Sequence, residues 1–152
     1  MSLRVHTARV SYGGADRLDI TRKSAPPEGI AFAPSWAILR PALDMMALAR
    51  TMRAAAEHAG EARPDDAVLA ESCVEMTRAA EHIVRATWAL YVEAYTAEMR
   101  ESYRTQRPAW TALLARESVT LVCYCTDPAR CHRTLLAGIF AKLGAINEGE
   151  RR

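Results

Sequence analysis

The chain is short of several things that would have narrowed its role at once. No uncharged apolar run approaches the ~20 residues of a membrane-spanning helix, so a membrane-spanning role is not expected. The opening MSLRVHTARV lacks the apolar core of a secretory signal, and a cytoplasmic address is the resulting expectation. There is no lysine-rich run, no internal repeat and no low-complexity segment, which removes the usual signatures of basic tails, solenoids and linkers. Cysteines number only 4, and three are bunched in CYCTDPARC, which is not the spaced framework of a disulfide-stapled secreted domain. Cys123 and Cys125 sit two apart in an extended stretch, near the upper limit of disulfide reach, so free thiols are expected.

What remains is an ordinary globular composition, with 50% hydrophobic and 25% charged residues in 152 positions. That length suits one hydrophobic core. The net charge of +2 hides an uneven spread: basic residues dominate up to Arg53 and again from Arg100, while Ala54–Met99 is acidic. If the two basic ends meet, they make a mildly cationic surface suited to an anionic ligand. Ordinary solvated faces would give the same spread.

Element by element, Leu3–Ser11 alternates as a strand and stops at Gly13 and Gly14, and Arg17–Ile20 makes a second short strand. The proline-rich stretch that follows is irregular, with Phe32 and Trp36 expected as core anchors. Helix formers run from Pro41 to about His58, where Gly60 ends the helix, and a second helical region runs from Asp66 to about Arg104, with a break expected near Arg85–Thr87. Pro108 opens a short helix. Val119–Cys123 reads as a strand apolar on both faces. Thr126 or Asp127 then caps a helix that buries Leu135, Leu136, Ile139, Phe140 and Leu143, and Gly144 stops it.

This order predicts an α/β fold: a small, mostly parallel sheet flanked by helices in a single compact domain. Residues 1–40 hold the N-terminal strands and loop, 41–116 the helices, 117–145 the strand-loop-helix and 146–152 a polar tail. A further strand could be concealed in FAPSWAIL.

The chemistry concentrates at CYCTDPARCHR. One possibility is a thiol site, in which Cys131 or Cys125 lies near a helix start beside Arg130 and Arg133; Cys131 is taken as the nucleophile and His132 as its acid/base partner. Another is zinc held by Cys123, Cys125, Cys131 and His132. Against it, the CxxC knuckle is missing, and neighbours on a helix point ~100° apart, so Cys131 and His132 should diverge. A third is an anion site in which Arg133 and free amides at the helix start hold a phosphate or carboxylate. The cysteines could also be packing residues alone. Upstream, Asp19, Arg22 and Ser24 are polar candidates on the loop after the second strand.

Taken together, Tyr12, Gly13 and Gly14, the DxxRxS element of Asp19, Arg22 and Ser24, and the late LVCYCTDPARCHRTLLA segment are similar to the family called domain of unknown function 488. Cys123, Cys131, His132 and Arg133 match its late CHR motif directly. Cys125 stands where the family often carries a polar residue. The resemblance implies a compact α/β domain whose two motifs meet in one pocket, and it supplies no reaction. The expected function is that of an uncharacterised small protein with a Cys/His/Arg pocket, a thiol-dependent enzyme acting on an anionic or nucleotide-like small ligand. In it Arg133 and Arg22 clamp the anion, Asp19 orients one of them, and Ser24, Cys123 and Cys125 line the pocket. The alternative is a non-catalytic module for nucleic acid or protein, in which the CHR segment is structural and anion-binding. No cofactor is expected on the leading reading; zinc is the exception the cysteine cluster leaves open.

Overall fold

The computed structural model describes residues 2–151. In chain order the elements are β1 (Arg4–Arg9), β2 (Arg17–Asp19), α1 (Pro27–Ile30), α2 (Trp36–Ala62), α3 (Ala67–Thr105), α4 (Arg107–Leu114), β3 (Ser118–Cys123), a 3-10 turn (Pro128–Arg130), α5 (His132–Lys142) and β4 (Ile146–Glu150). The strands form one sheet in the order β2-β3-β1-β4, and every pairing is parallel. The fold is therefore α/β with a parallel sheet, as the sequence pattern implies. Among the described residues no helix is long and apolar enough to cross a membrane.

The described chain groups into two compact units. One holds the chain up to Trp36 and from Ala94 onward; the other is Ala37–Glu93. The first unit contains the sheet. Its central strands are buried on both faces: Val5 in β1 and Val119, Leu121 and Val122 in β3 are fully covered. A parallel connection normally needs a dozen residues or more to return to the starting edge. The β1–β2 link is shorter because β2 is only three residues long and begins opposite Thr120, partway up β3. Asp16 pins that link: its backbone carbonyl accepts from the Thr120 amide at 2.8 Å, and its carboxylate accepts from the Ser118 and Thr120 hydroxyls at 2.8 and 3.0 Å.

Aromatic residues fill the space beside the sheet. Trp110 meets Phe32 at 5.0 Å and Phe140 at 5.1 Å between ring centroids. The polar edges of this cluster are satisfied. The Tyr95 hydroxyl donates to the Phe32 carbonyl at 2.7 Å, Ser102 donates to the Ala31 carbonyl, and the Trp110 indole donates to Ser102. Gly29 is needed where α1 passes β2, because a Cβ there would lie 2.0 Å from the Asp19 carbonyl oxygen.

Several sequence expectations are corrected. The polar tail expected at 146–152 contains β4, which pairs with β1; Arg152 lies outside the described residues. INEGE carries no apolar alternation because an edge strand needs only backbone pairing on one side. FAPSWAIL holds no strand: Ala31–Ala33 lie in a turn after α1, and α2 begins at Trp36. Phe32 is a core anchor, whereas Trp36 is 43% exposed. The helix α2 runs through Pro41 and Gly60, and α3 is unbroken at Arg85–Thr87, where local propensity gives way to helix continuity.

Candidate functional site

The thiol-rich turn sits at the carboxyl end of β3, the end of a parallel sheet where α/β proteins commonly hold ligands. Cys123 closes β3, Cys125 follows in the loop, and Cys131 and His132 open α5. The four candidate ligand atoms, three sulfurs and one imidazole nitrogen, all lie within 4.8 Å of one another. The Cys123 and Cys125 sulfurs are 3.4 Å apart, and Cys123 Sγ is 3.8 Å from His132 Nδ1. The group could hold a metal ion: a tetrahedron with bonds of ~2.3 Å has edges of ~3.8 Å.

Convergence of Cys131 and His132 contradicts the divergence expected of helical neighbours. The reason is local. Asp127 caps the 3-10 turn through the Ala129 amide at 2.9 Å, and the chain then extends at Cys131 (φ −139°, ψ 141°), which is the N-cap of α5 rather than a residue within it. Cys131 thus leaves the backbone in a strand-like direction while His132 starts the helix, and the helical angle between neighbours does not apply.

The imidazole is oriented from its far side. His132 Nε2 lies 3.0 Å from the Ile20 carbonyl, an acceptor only, so Nε2 carries the proton and Nδ1 turns its lone pair toward Cys123. Burial holds the His132 pKa below its usual value and keeps the ring neutral. A neutral imidazole with one nitrogen on a carbonyl and the other facing thiols has the form of a metal-ligating histidine with its outer partner in place. The Tyr95 ring packs 5.7 Å from the imidazole and limits its rotation.

Three thiols this close cannot all ionise without a cation between them. Hydrogen bonding from Cys123 and Cys131, then the positive charge of Arg133, pushes the Cys125 pKa down. The same hydrogen bonds, together with burial, push Cys123 and Cys131 up. Cys125, the thiol favoured to ionise, is half-buried, while Cys131 is 1% exposed.

Arg133 is fully buried and already engaged. Its Nε and Nη2 donate to the two carboxylate oxygens of Glu150 at 3.2 and 2.8 Å, and Nη1 donates to the Cys125 carbonyl at 2.8 Å and lies 3.4 Å from Cys131 Sγ. Thr7 of β1 also donates to Glu150. The guanidinium braces the cysteine loop against β4 and β1 and has no face left for an external anion.

The Asp19–Ser24 loop reaches the same end of the sheet, and its side chains serve one another. Asp19 accepts from the Thr21 amide and the Ser24 hydroxyl, each at 2.8 Å, and lies 3.6 Å from Arg17. Although burial opposes ionisation, these bonds hold its pKa below the usual carboxylate value. Asp19 is thus committed to Arg17 and its own turn rather than to Arg22 or Arg133. Arg22 is half-buried, and Ser24 meets the Tyr124 hydroxyl at 3.2 Å beside the cysteine loop. The loop's link to the cluster is a main-chain atom, the Ile20 carbonyl. Glu150, Ile20, Tyr95 and Tyr124 were not legible as site residues. A lone glutamate in a polar segment and a backbone carbonyl carry no sequence signal, and the two tyrosines read as ordinary apolar surface.

Fold and site together define a small parallel α/β protein with a Cys3His cluster at the carboxyl end of its sheet. Residues 72–144 match the family model DUF488-N3a, described as the active DUF488-N3 subclade. The match covers just under half of the chain, includes the whole CYCTDPARCHR segment and leaves out Asp19–Ser24, and it supports the resemblance to domain of unknown function 488. No curated protein and no solved structure matches the chain.

Proposed function

We propose that Cys123, Cys125, Cys131 and His132 bind one zinc ion, and that the chain works as a metal–thiolate α/β protein in which this centre ties the end of β3 to the start of α5. The observation that carries the proposal is the convergence of four ligand atoms within 4.8 Å, with the histidine's second nitrogen already committed to the Ile20 carbonyl. Sulfur and imidazole donors suit zinc better than calcium or magnesium, which take oxygen. Four protein ligands close a tetrahedral shell, the form of a structural centre rather than one that keeps a position for substrate. The buried Arg133 supports the reading by placing a positive charge beside three thiolates, whose sum exceeds that of the ion by one.

The test is elemental analysis of protein purified without chelator from zinc-supplemented cells, followed by cobalt substitution. One zinc per chain is expected, with thiolate-to-cobalt absorption and tetrahedral visible bands that weaken in Cys123→Ser and Cys131→Ser. Substoichiometric zinc, and cobalt spectra typical of water ligands, would overturn the proposal.

One observation favours a second reading, a thiol-dependent enzyme acting on an anionic or nucleotide-like ligand. Cys125 is the cluster member that is not fully buried, and it lies next to the exposed Tyr124. On this reading the nucleophile is Cys125, the second of the two thiols that the sequence offered, rather than Cys131. Alkylation separates the two: Cys125 of the protein as purified should react with iodoacetamide faster than a free peptide thiol if it is a nucleophile, and slowly if it is bound to zinc.

A further inference from the structure

The unit Ala37–Glu93 carries an apolar face with an order of its own. On α2 the buried positions are Ala49 and Ala56, and on the part of α3 up to Glu93 they are Ala80, Thr87 and Tyr91. The helices run antiparallel side by side, since Ala56 and Glu57 line one open groove together with Cys73, Val74 and Thr77. A quarter turn from the buried stripe of α3, on the side away from that groove, lie Val68, Ser72, Met76, Ala79, Ile83, Ala86 and Leu90. None is charged and none is fully buried; Val68 is 76% and Leu90 69% exposed. In an antiparallel pair the matching flank of α2 opens to the same side. It carries Met45, Leu48 and Met52, with Met45 and Leu48 39% and 47% exposed.

We infer that this face is the contact between two copies of the chain, which pair their α2–α3 hairpins into a four-helix bundle about a two-fold axis at Ala79. The order of side chains argues for a second copy over any other occupant. An isologous contact must be complementary to itself. Read outward from Ala79, the α3 stripe is nearly symmetric: Met76 and Ile83 stand three and four residues away, Ser72 and Ala86 seven, Val68 and Leu90 eleven. In an antiparallel α3–α3 pairing large side chains therefore face large ones, small face small, and the two Ala79 residues meet where the backbones come closest.

The second helix supplies an independent check. Since α2 ends at Ala62 and α3 begins at Ala67, Ala79, twelve residues into α3, falls level with Arg50, twelve residues back along α2 and midway between Leu48 and Met52. The same axis thus sets Leu48 against the partner's Met52. At the rim, Glu75 comes opposite the partner's His82, acceptor to donor. From Val68 to Leu90 the stripe is ~33 Å long. With two helices ~10 Å apart, each face covers ~650 Å², and the pair comes to about 1,300 Å², within the range of specific, stable interfaces.

Sedimentation velocity or light scattering of the full chain at micromolar concentration should return twice its mass of 16.8 kDa. Ala79→Glu, which brings two like charges together on the axis, should halve that mass while far-UV helicity is retained. Val74→Glu, on the groove side, should leave it doubled. A cross-linking arm does not depend on how Ala79→Glu folds. Diamide, which removes two electrons and two protons from a pair of thiols, should join Ala79→Cys chains into a covalent dimer above the wild-type background and should leave Val68→Cys chains, whose thiols lie at opposite ends of the seam, unjoined. A monomeric wild type, a doubled mass that survives Ala79→Glu, or cross-linking of Val68→Cys as readily as Ala79→Cys would each overturn the inference.

Discussion

Replacing Glu150 by glutamine tests how the cysteine loop is braced. The substitution keeps the side chain's shape and removes its charge, so the buried Arg133 loses its counter-ion and one of its two N–H donors at this site meets an amide that also donates. Breaking a buried ion pair by removing one partner typically costs ~3–5 kcal/mol. Two features place Glu150 below that range: its side chain is 29% exposed, so water can reach the vacated site, and the Cys125 carbonyl still accepts from Nη1. A loss of about 2–3 kcal/mol is therefore expected. With a urea dependence of ~1–3 kcal/mol per molar for a small protein, the unfolding midpoint should fall by roughly 1–2 M. Urea titration followed by tryptophan fluorescence measures this directly, since Trp110 is buried in the same unit. Repeating the substitution in an Arg133→Met background should cost little, because the charge that needs compensation has gone. An unchanged midpoint in the wild-type background, or an equal loss in both backgrounds, would refute the argument that Glu150 acts through Arg133.

Two further substitutions probe the supports on either side. Gly29→Ala drives a Cβ against the Asp19 carbonyl oxygen, fixed by β2, and should destabilise the fold by ~1–3 kcal/mol; a wild-type thermal midpoint would contradict the close approach. Asp16 is opposed in its ionisation by burial, yet hydrogen bonds from Ser118, Tyr12 and Thr120 hold its pKa below the ordinary 3.8. A carboxyl depressed in the fold contributes stability above its unfolded pKa and loses it as pH falls through the folded one. Asp16→Asn should accordingly flatten the acid limb of a stability–pH profile below about pH 4 and leave its shape at neutral pH unchanged; an identical acid limb would count against it.

Much of the fold was legible because burial marks it. Val119, Leu121 and Val122 announce a strand covered on both faces, and Leu136 and Phe140 a helix packed on it. The strand β4 was not legible, since pairing through backbone atoms at a sheet edge asks nothing of the side chains Ile146–Glu150. The cysteine cluster was visible through residue chemistry, while its geometry turned on one dihedral pair at Cys131 that no residue type dictates. Arg133 illustrates the same limit. A guanidinium at a helix start reads as an anion clamp, and only the position of Glu150, seventeen residues on, makes it an internal brace.

All four candidate ligands lie within ten consecutive residues, Cys123–His132, whereas the groups that orient them come from distant parts of the chain: Ile20, Tyr95 and Glu150. A metal could therefore be gripped by the unfolded chain through the same thiols. Ligand binding stabilises a fold only by the excess of native over unfolded affinity. For this protein that excess resides in the remote groups, so a zinc ion would stabilise the fold by less than its affinity suggests, and chelation would remove an ion without necessarily unravelling the sheet that surrounds it.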